Sequence, residues 1–208
     1  MTIRIVRATF LAACTASTAL AQVSAATSAP ATSALPIPPV AEQLAAAVLP
    51  LPADMREGAT IMGYKTKDKL EVLRAGAPNG MICLALYVSR PDFHVACYAK
   101  ALEPFMARGR SLRAEGVTGA KVDSVRFKEI TDGKLKMPKQ GALYTITGKK
   151  EAWDPKTGKV TGVGTLAVVY MPFATAEDVG LTAVPQATGP WMMFPGTAKA
   201  HLMLAGSM

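Results

Sequence analysis

Histidine is nearly absent from this 208-residue chain: His94 and His201 are the only two. No other side chain has an ordinary pKa near neutrality, so any histidine-dependent acid–base chemistry rests on one of them. Cysteine is almost as scarce, with Cys14, Cys83 and Cys97. A zinc site assembled from Cys83, His94 and Cys97 lacks an evident fourth ligand. There is no G-x-S-x-G elbow, no glycine-rich phosphate loop and no H-E-x-x-H pair, which removes the common hydrolase, nucleotide and zincin signatures. The Asp and Asn spacing fits no calcium loop. Basic residues never cluster beyond Lys149-Lys150, and a nucleic-acid reader needs a basic stripe with aromatic platforms. No segment after the N-terminus comes near 18 consecutive apolar residues, so no later membrane span is expected. No internal repeat is found.

What is present begins with an address. Arg4 and Arg7 precede an uncharged stretch, Ala8 to Leu20, and Ala19-Leu20-Ala21 fits the A-x-A cleavage pattern. Residues 1–21 therefore read as a signal peptide, with Gln22 as the first mature residue or a cut a few residues later near Ala25. Leu11-Ala12-Ala13-Cys14 offers a lipobox alternative, in which Cys14 becomes a lipid anchor. The short stretch between Arg7 and Cys14, and the apolar run continuing past it, favour ordinary cleavage. The expected location is periplasmic or secreted. Removing residues 1–21 takes away two arginines and no acid, leaving 21 basic and 15 acidic residues, a net +6. That charge is scattered and reads as a solvated surface drawn to anionic envelope material.

Residues 22–52 read as a linker. Gln22 to Pro39 contains Ala, Ser, Thr and Pro but no charge, cannot bury a core, and would reach about 55 Å if extended. Ala41 to Leu49 is a short helical stretch ended by Pro50. A single globular domain is expected over 53–208. Its strands are read at Ala59 to Tyr64, Lys69 to Arg74, Met81 to Val88 and Phe93 to Tyr98, joined by tight turns as in an antiparallel meander. The period then becomes helical, with Pro104 fitting the first turn and Gly116 the end, and with Leu102, Phe105, Met106 and Leu112 on one face. Arg108, Arg110 and Arg113 lie on the others as a solvated surface, or alternatively as an anion site. A weaker helix is read from Ala120 to Asp132. Leu143 to Thr147, Gly164 to Met171 and Ala200 to Leu204 return to strand chemistry. A hairpin tip is expected at Asp154 to Gly158, and a capped helical turn at Thr175 to Gly180. The fold class is α+β: an antiparallel, partly meander-type sheet packed against one or two helices.

The cysteines fit this reading. If Ser89 to Pro91 turns the chain, facing residues have numbers summing to 180, which sets Cys83 directly against Cys97 on one face. In an oxidising compartment that pair is expected as a disulfide. Strand alternation puts His94 on the face opposite Cys97, against a cysteine–histidine nucleophile.

Trp191, Met192, Met193, His201 and Met203 form the other cluster. Thioethers and an imidazole suit Cu(I), with Trp191 able to lie against the site. Methionine is also an ordinary core filler, and the stronger expectation is no metal and no cofactor.

Phe93-His94-Val95-Ala96-Cys97-Tyr98, then Leu102-Glu103-Pro104-Phe105-Met106-Ala107-Arg108-Gly109-Arg110, and finally Gly189-Pro190-Trp191 resemble a family of exported bacterial proteins of unknown function. The likeness runs from about Leu51 to Leu204. It implies export and these domain limits, and transfers no functional residue. The expected function is non-enzymatic binding of a small ligand or envelope component, with His94, Trp191 and His201 as ligand-contacting candidates. A small hydrolase using His94 or His201, and a copper binder using Met192, Met193, His201 and Met203, are the alternatives.

Overall fold

A computed structural model describes residues 36–67, 69–77 and 80–207. The signal segment, Cys14 and the linker up to residue 35 lie outside the described residues. The elements are α1 Val40–Ala47, α2 Ala53–Arg56, β1 Thr60–Thr66, β2 Lys69–Arg74, β3 Met81–Leu84, β4 Phe93–Ala99, α3 Glu103–Ala114, α4 Ala120–Thr131, β5 Gly141–Gly148, β6 Trp153–Asp154, β7 Lys159–Val160, β8 Val163–Tyr170, β9 Pro190–Met193 and β10 His201–Ser207. Eight strands form one sheet in the order β2-β1-β3-β4-β5-β8-β10-β9, and β6-β7 form a separate hairpin. The fold is α+β.

Alternation along the strands divides the core between the two faces of the sheet. On one face Ile61, Cys83, Phe93, Val95, Cys97 and Ile146 pack against Ala46 and Ala47 of α1, Leu51 and Trp153. On the other, Ile82, Leu84, Tyr98, Val168 and Tyr170 pack with Leu102 and Phe105 at the start of α3. Helix α1 is thus part of the fold, which begins by Val40 rather than at Ala53. The residue that ties it down is Gln43, fully buried. Its Nε2 donates to Tyr64 O at 2.8 Å, and its Oε1 accepts from Tyr64 N at 2.8 Å.

The register of β3 with β4 keeps the sum of 180: Met81 faces Ala99 and Cys83 faces Cys97. The two cysteines are joined as a disulfide, with a Cα–Cα distance of 4.0 Å. The third strand is shorter than expected. It stops at Leu84, and Leu86–Ser89 forms a 3-10 turn. Ala85 and Tyr87 are buried, so the apolar run continues past the strand, and burial without periodicity does not separate strand from turn.

The meander is broken between β2 and β3. β3 lies on the other side of β1 and runs parallel to it, with Ile61 opposite Cys83. The chain returns across the start of β1 at Gly76, whose N donates to Thr60 Oγ1 at 3.1 Å. A Cβ there would sit 2.4 Å from both Gly58 O and Thr60 N, so only glycine allows the crossing. Turn signals report that the chain reverses, not on which side it re-enters the sheet.

The remaining local signals hold in part. Helices α3 and α4 match their expected spans within two residues. Asp154 accepts hydrogen bonds from Lys156 N at 2.9 Å and Thr157 Oγ1 at 2.7 Å, closing the hairpin tip. At Thr175 the side chains of Thr175 and Asp178 each bond the other's backbone N–H, but the segment makes a turn and not a helix. Strand β9 was not legible in the sequence.

Candidate binding cleft

The two histidines lie at opposite ends of the sheet. His94 on β4 pairs with Thr147, which pairs with Gly164; His201 on β10 pairs with Tyr170, which pairs with Gly141. Thr147 and Gly141 are six residues apart on β5, about 20 Å along the strand. One site cannot use both.

His94 is half-buried, and its Nδ1 lies 2.7 Å from Thr147 Oγ1. Burial lowers its pKa, and the charge of Arg90 adds to the effect. His201 is 5% exposed. Its Nδ1 lies 2.6 Å from the carbonyl of Lys199, which can only accept, so Nδ1 carries the proton. Its ring is flanked by Tyr170 at 5.1 Å and Phe194 at 5.8 Å, and burial lowers its pKa.

Above His201, Asp123 is held by Lys199 at 2.8 Å and by Arg126. Arg126 is 4% exposed, donates to Phe105 O at 3.2 Å and lies 3.8 Å over the Phe105 ring. A charged side chain on the weaker helix thus fills the seam between α4 and α3.

The other expected clusters separate. In β9 and β10, Met193 pairs with His201 and Trp191 with Met203, while Met192 pairs with Leu202. Alternation therefore turns Met192 to the opposite face from Met193, His201 and Met203, and Met192 is fully buried. The four residues do not form one copper site. Trp191 is half-buried beside Met203. Among the described residues no group of three or more His, Cys, Asp or Glu is placed to hold a metal. The arginines of α3 are engaged: Arg108 with Glu129 at 2.8 Å, Arg110 with Glu103 at 2.6 Å and with Tyr98 OH at 2.9 Å, and Arg113 with Gly109 O at 2.9 Å. Arg113 is exposed and Arg108 and Arg110 are part-exposed, so the face is a solvated one whose charges are largely paired, and it offers no open anion site.

A concave feature among the described residues lies elsewhere. A cleft of about 240 Å³ is lined by Pro36, Pro38, Glu42, Tyr87, Val88, Lys150, Trp153 and Pro155. None of His94, Trp191 or His201 is in it. Each wall is fixed by a specific bond. Gln43 Nε2 donates to Pro38 O at 2.9 Å and holds the incoming chain. Lys150 Nζ donates to Tyr87 O at 2.5 Å and Arg90 O at 3.2 Å and holds the 3-10 turn. Tyr87 OH donates to Glu42 Oε1 at 3.3 Å. Burial, with the Glu42 carboxylate beside it, raises the Tyr87 pKa, so the phenol stays protonated. Trp153 is stacked on Phe93 at 6.1 Å, and the Tyr87 ring lies tilted against Phe93 at 5.4 Å.

No family model, curated protein or solved structure matches this chain. The site's chemistry is therefore argued from its own atoms.

Trp153 lines the cleft, while its indole Nε1 is closed to solvent and has no hydrogen-bond partner among the described residues, as is also true of Arg74 Nε and Arg126 Nε. A buried donor without an acceptor costs about 1–3 kcal/mol. The cleft thus combines apolar walls with a carboxylate and an ammonium, which is the make-up of a small-ligand site. Sequence reasoning assigned Trp153 no role. The signal available was its type: a tryptophan directly before a hairpin tip, one of only two in the chain, carrying a donor that normally finds a partner when buried.

Proposed function

We propose that this protein is exported and acts in the periplasm or cell envelope as a non-enzymatic binding domain, holding a small ligand or envelope component in the cleft at Trp153. The observation that carries the binding reading is the cleft itself, walled by Tyr87, Trp153 and prolines with Glu42 and Lys150 among its lining residues. Export is supported by the Cys83–Cys97 disulfide, since such bonds persist in oxidising compartments. No helix among the described residues is long and apolar enough to cross a membrane. Under this reading residues 1–21 are removed, and residues 22 onward lead from the new N-terminus to α1.

Two measurements test it. Intact mass of the exported protein is expected to start at Gln22 or close to Ala25; a lipidated Cys14 would instead mark a membrane-anchored form. Binding is read on the Trp153 indole N–H resonance of nitrogen-15-labelled protein titrated with N-acetylglucosamine and with N-methylacetamide, two small carbonyl acceptors. A saturable shift is expected with at least one of them. An indole resonance that stays put with both at millimolar concentration overturns the cleft as a small-ligand site.

A further inference from the structure

We propose that residues 194–199 are an acid-released lid: protonation of His201 beneath them frees this segment from the end of the sheet, while the strands stay paired.

His201 is enclosed. It is 5% exposed, with the Tyr170 ring at 5.1 Å and the Phe194 ring at 5.8 Å. Its Nδ1–H donates to Lys199 O at 2.6 Å, so the next proton goes to Nε2. Among the described residues, the charged and titratable groups facing it are Lys199 from the segment itself, Asp123 from α4 and Tyr170 from β8. Tyr170 stays neutral, its pKa raised by burial, and Met193, the strand neighbour on β9, brings no charge. Asp123 is the one anion among these groups, and it is already shared between Lys199 Nζ at 2.8 Å and Arg126. An imidazolium formed here is a third cation around one carboxylate, cut off from water. Burial holds the His201 pKa down and the Lys199 charge adds to it, against the pull of the Lys199 carbonyl and of Asp123.

Residues 194–199 are the wall that gives way. At His201, β10 is paired on both sides, with Tyr170 of β8 and Met193 of β9. Residues 194–199 make only bends and turns, and Phe194, Pro195 and Gly196 are exposed. The segment is tied to the adjoining loop by Phe173 N, which donates to Thr197 O at 2.8 Å, and by Gly196 N, which donates to Ala174 O at 2.8 Å. Exposed turns of this kind open locally at lower free energy than paired strands. Phe194 also has φ 54°, a left-handed conformation that a bulky residue rarely adopts. Pro195 follows it, and a residue before proline favours extended backbone. Lifting the segment gives up the Phe194 contact with His201 and lets that backbone relax.

The sign follows from linkage. With the lid open, His201 meets water and titrates near about 6.5; with it closed, the pKa lies lower. Below that value the open form holds more protons, so acid favours opening. At about pH 5 the opening equilibrium rises by at most about thirtyfold, the limit set by the distance from about 6.5. Burial opposes ionisation of Asp123, but Lys199 and Arg126 outweigh it and its pKa is lowered. The carboxylate therefore keeps its charge over this range, and His201 is the group that responds.

The test is amide hydrogen exchange, followed by NMR on the nitrogen-15-labelled exported protein at about pH 7.5 and about pH 5, on either side of the ordinary imidazole value. Each rate is divided by that of an unstructured peptide of the same sequence, which removes the intrinsic effect of pH. The reporters are the Gly196 and Phe173 amides, which tie the lid to the adjoining loop, and the amides of β4 are the reference. Both reporters are expected to open at least about threefold more at the lower pH, with β4 unchanged. His201→Asn keeps an amide donor for Lys199 O and removes the titrating ring; its reporters should open equally at both pH values. If that variant misfolds, the ring resonances of the parent protein decide, since opening should rise with the midpoint of His201 and not with that of His94. Reporters equally protected at both pH values, an equal rise in His201→Asn, a rise shared in step by β4, or a midpoint that departs from that of His201 would each overturn the proposal.

Discussion

Gln43 bonds to Tyr64 as a neighbouring strand would, its amide donating to the Tyr64 carbonyl and accepting from the Tyr64 N–H, both at 2.8 Å. The same amide nitrogen also reaches Pro38 O at 2.9 Å. One side chain therefore sews α1 to β1 and places the prolines at the cleft. Gly63 provides the room: a Cβ there would stand 2.4 Å from Gln43 Oε1. Gln43→Leu should leave the Tyr64 backbone groups and Pro38 O without partners and destabilise the fold by about 2–4 kcal/mol. Urea unfolding measures this. A loss under about 0.5 kcal/mol, the range of an ordinary surface change, would mean that the bonds are not made.

A second prediction concerns Gly109, in the middle of α3. Glycine there costs about 1 kcal/mol relative to alanine on helix propensity alone. Yet a Cβ would lie 2.8 Å from Arg126 Nη1, and Arg126 is clamped by Phe105 O and Asp123. Gly109→Ala should therefore destabilise, by about 1 kcal/mol, against the usual sign. In an Arg126→Ala background the same change should stabilise by about 1 kcal/mol. A double-mutant cycle by thermal unfolding reads the sign in each background, and the same sign in both would refute the steric account.

The disulfide should be worth measuring directly. Cys83 and Cys97 are 14 apart in sequence, and closing a loop of about 15 residues contributes about 3 kcal/mol in the chain-entropy treatment. Reduction, or Cys83→Ala with Cys97→Ala, should lower stability by about that amount. The untreated exported protein should give no alkylation at either residue until it is denatured and reduced. Free thiols at both positions in protein purified from the envelope would remove the main support for export.

Stability should also fall with pH in two stages. Burial lowers the pKa of His201, and burial together with Arg90 lowers that of His94. In the unfolded chain both titrate near about 6.5. Below that value the unfolded chain holds more protons than the folded one, so stability is full above it and declines as pH falls toward the folded-state values. Asp123 acts lower. Burial opposes its ionisation, but the bonds from Lys199 and Arg126 prevail and its pKa is lowered. Its contribution is present above the unfolded carboxyl range, near about 3.9, and is lost on further acidification. Urea midpoints measured across this range should lose part of the first stage in His201→Gln and the rest in His201→Gln with His94→Gln. An unchanged first stage in the double variant would show that other groups carry it.

Much of this fold was legible because it is local or periodic. Alternation and turn chemistry located β1, β2, β4, β5 and β8, and the summed register brought Cys83 to Cys97, since a strand's period of two leaves little freedom once a turn is placed. Proline at the start and glycine at the end delimited α3 for the same kind of reason. The site was not legible. Its walls come from positions 36 to 155, and nothing in the neighbourhood of Trp153 reveals that its N–H ends without a partner.

Burial of Gln43 and Arg126 likewise depended on groups far along the chain: backbone atoms of Tyr64 for one, the Phe105 ring and the space over Gly109 for the other. The re-entry of β3 beside β1 was decided by a single close approach at Gly76. Local sequence determines which conformation a segment prefers. Which polar groups find partners, and which do not, is settled only when distant segments pack.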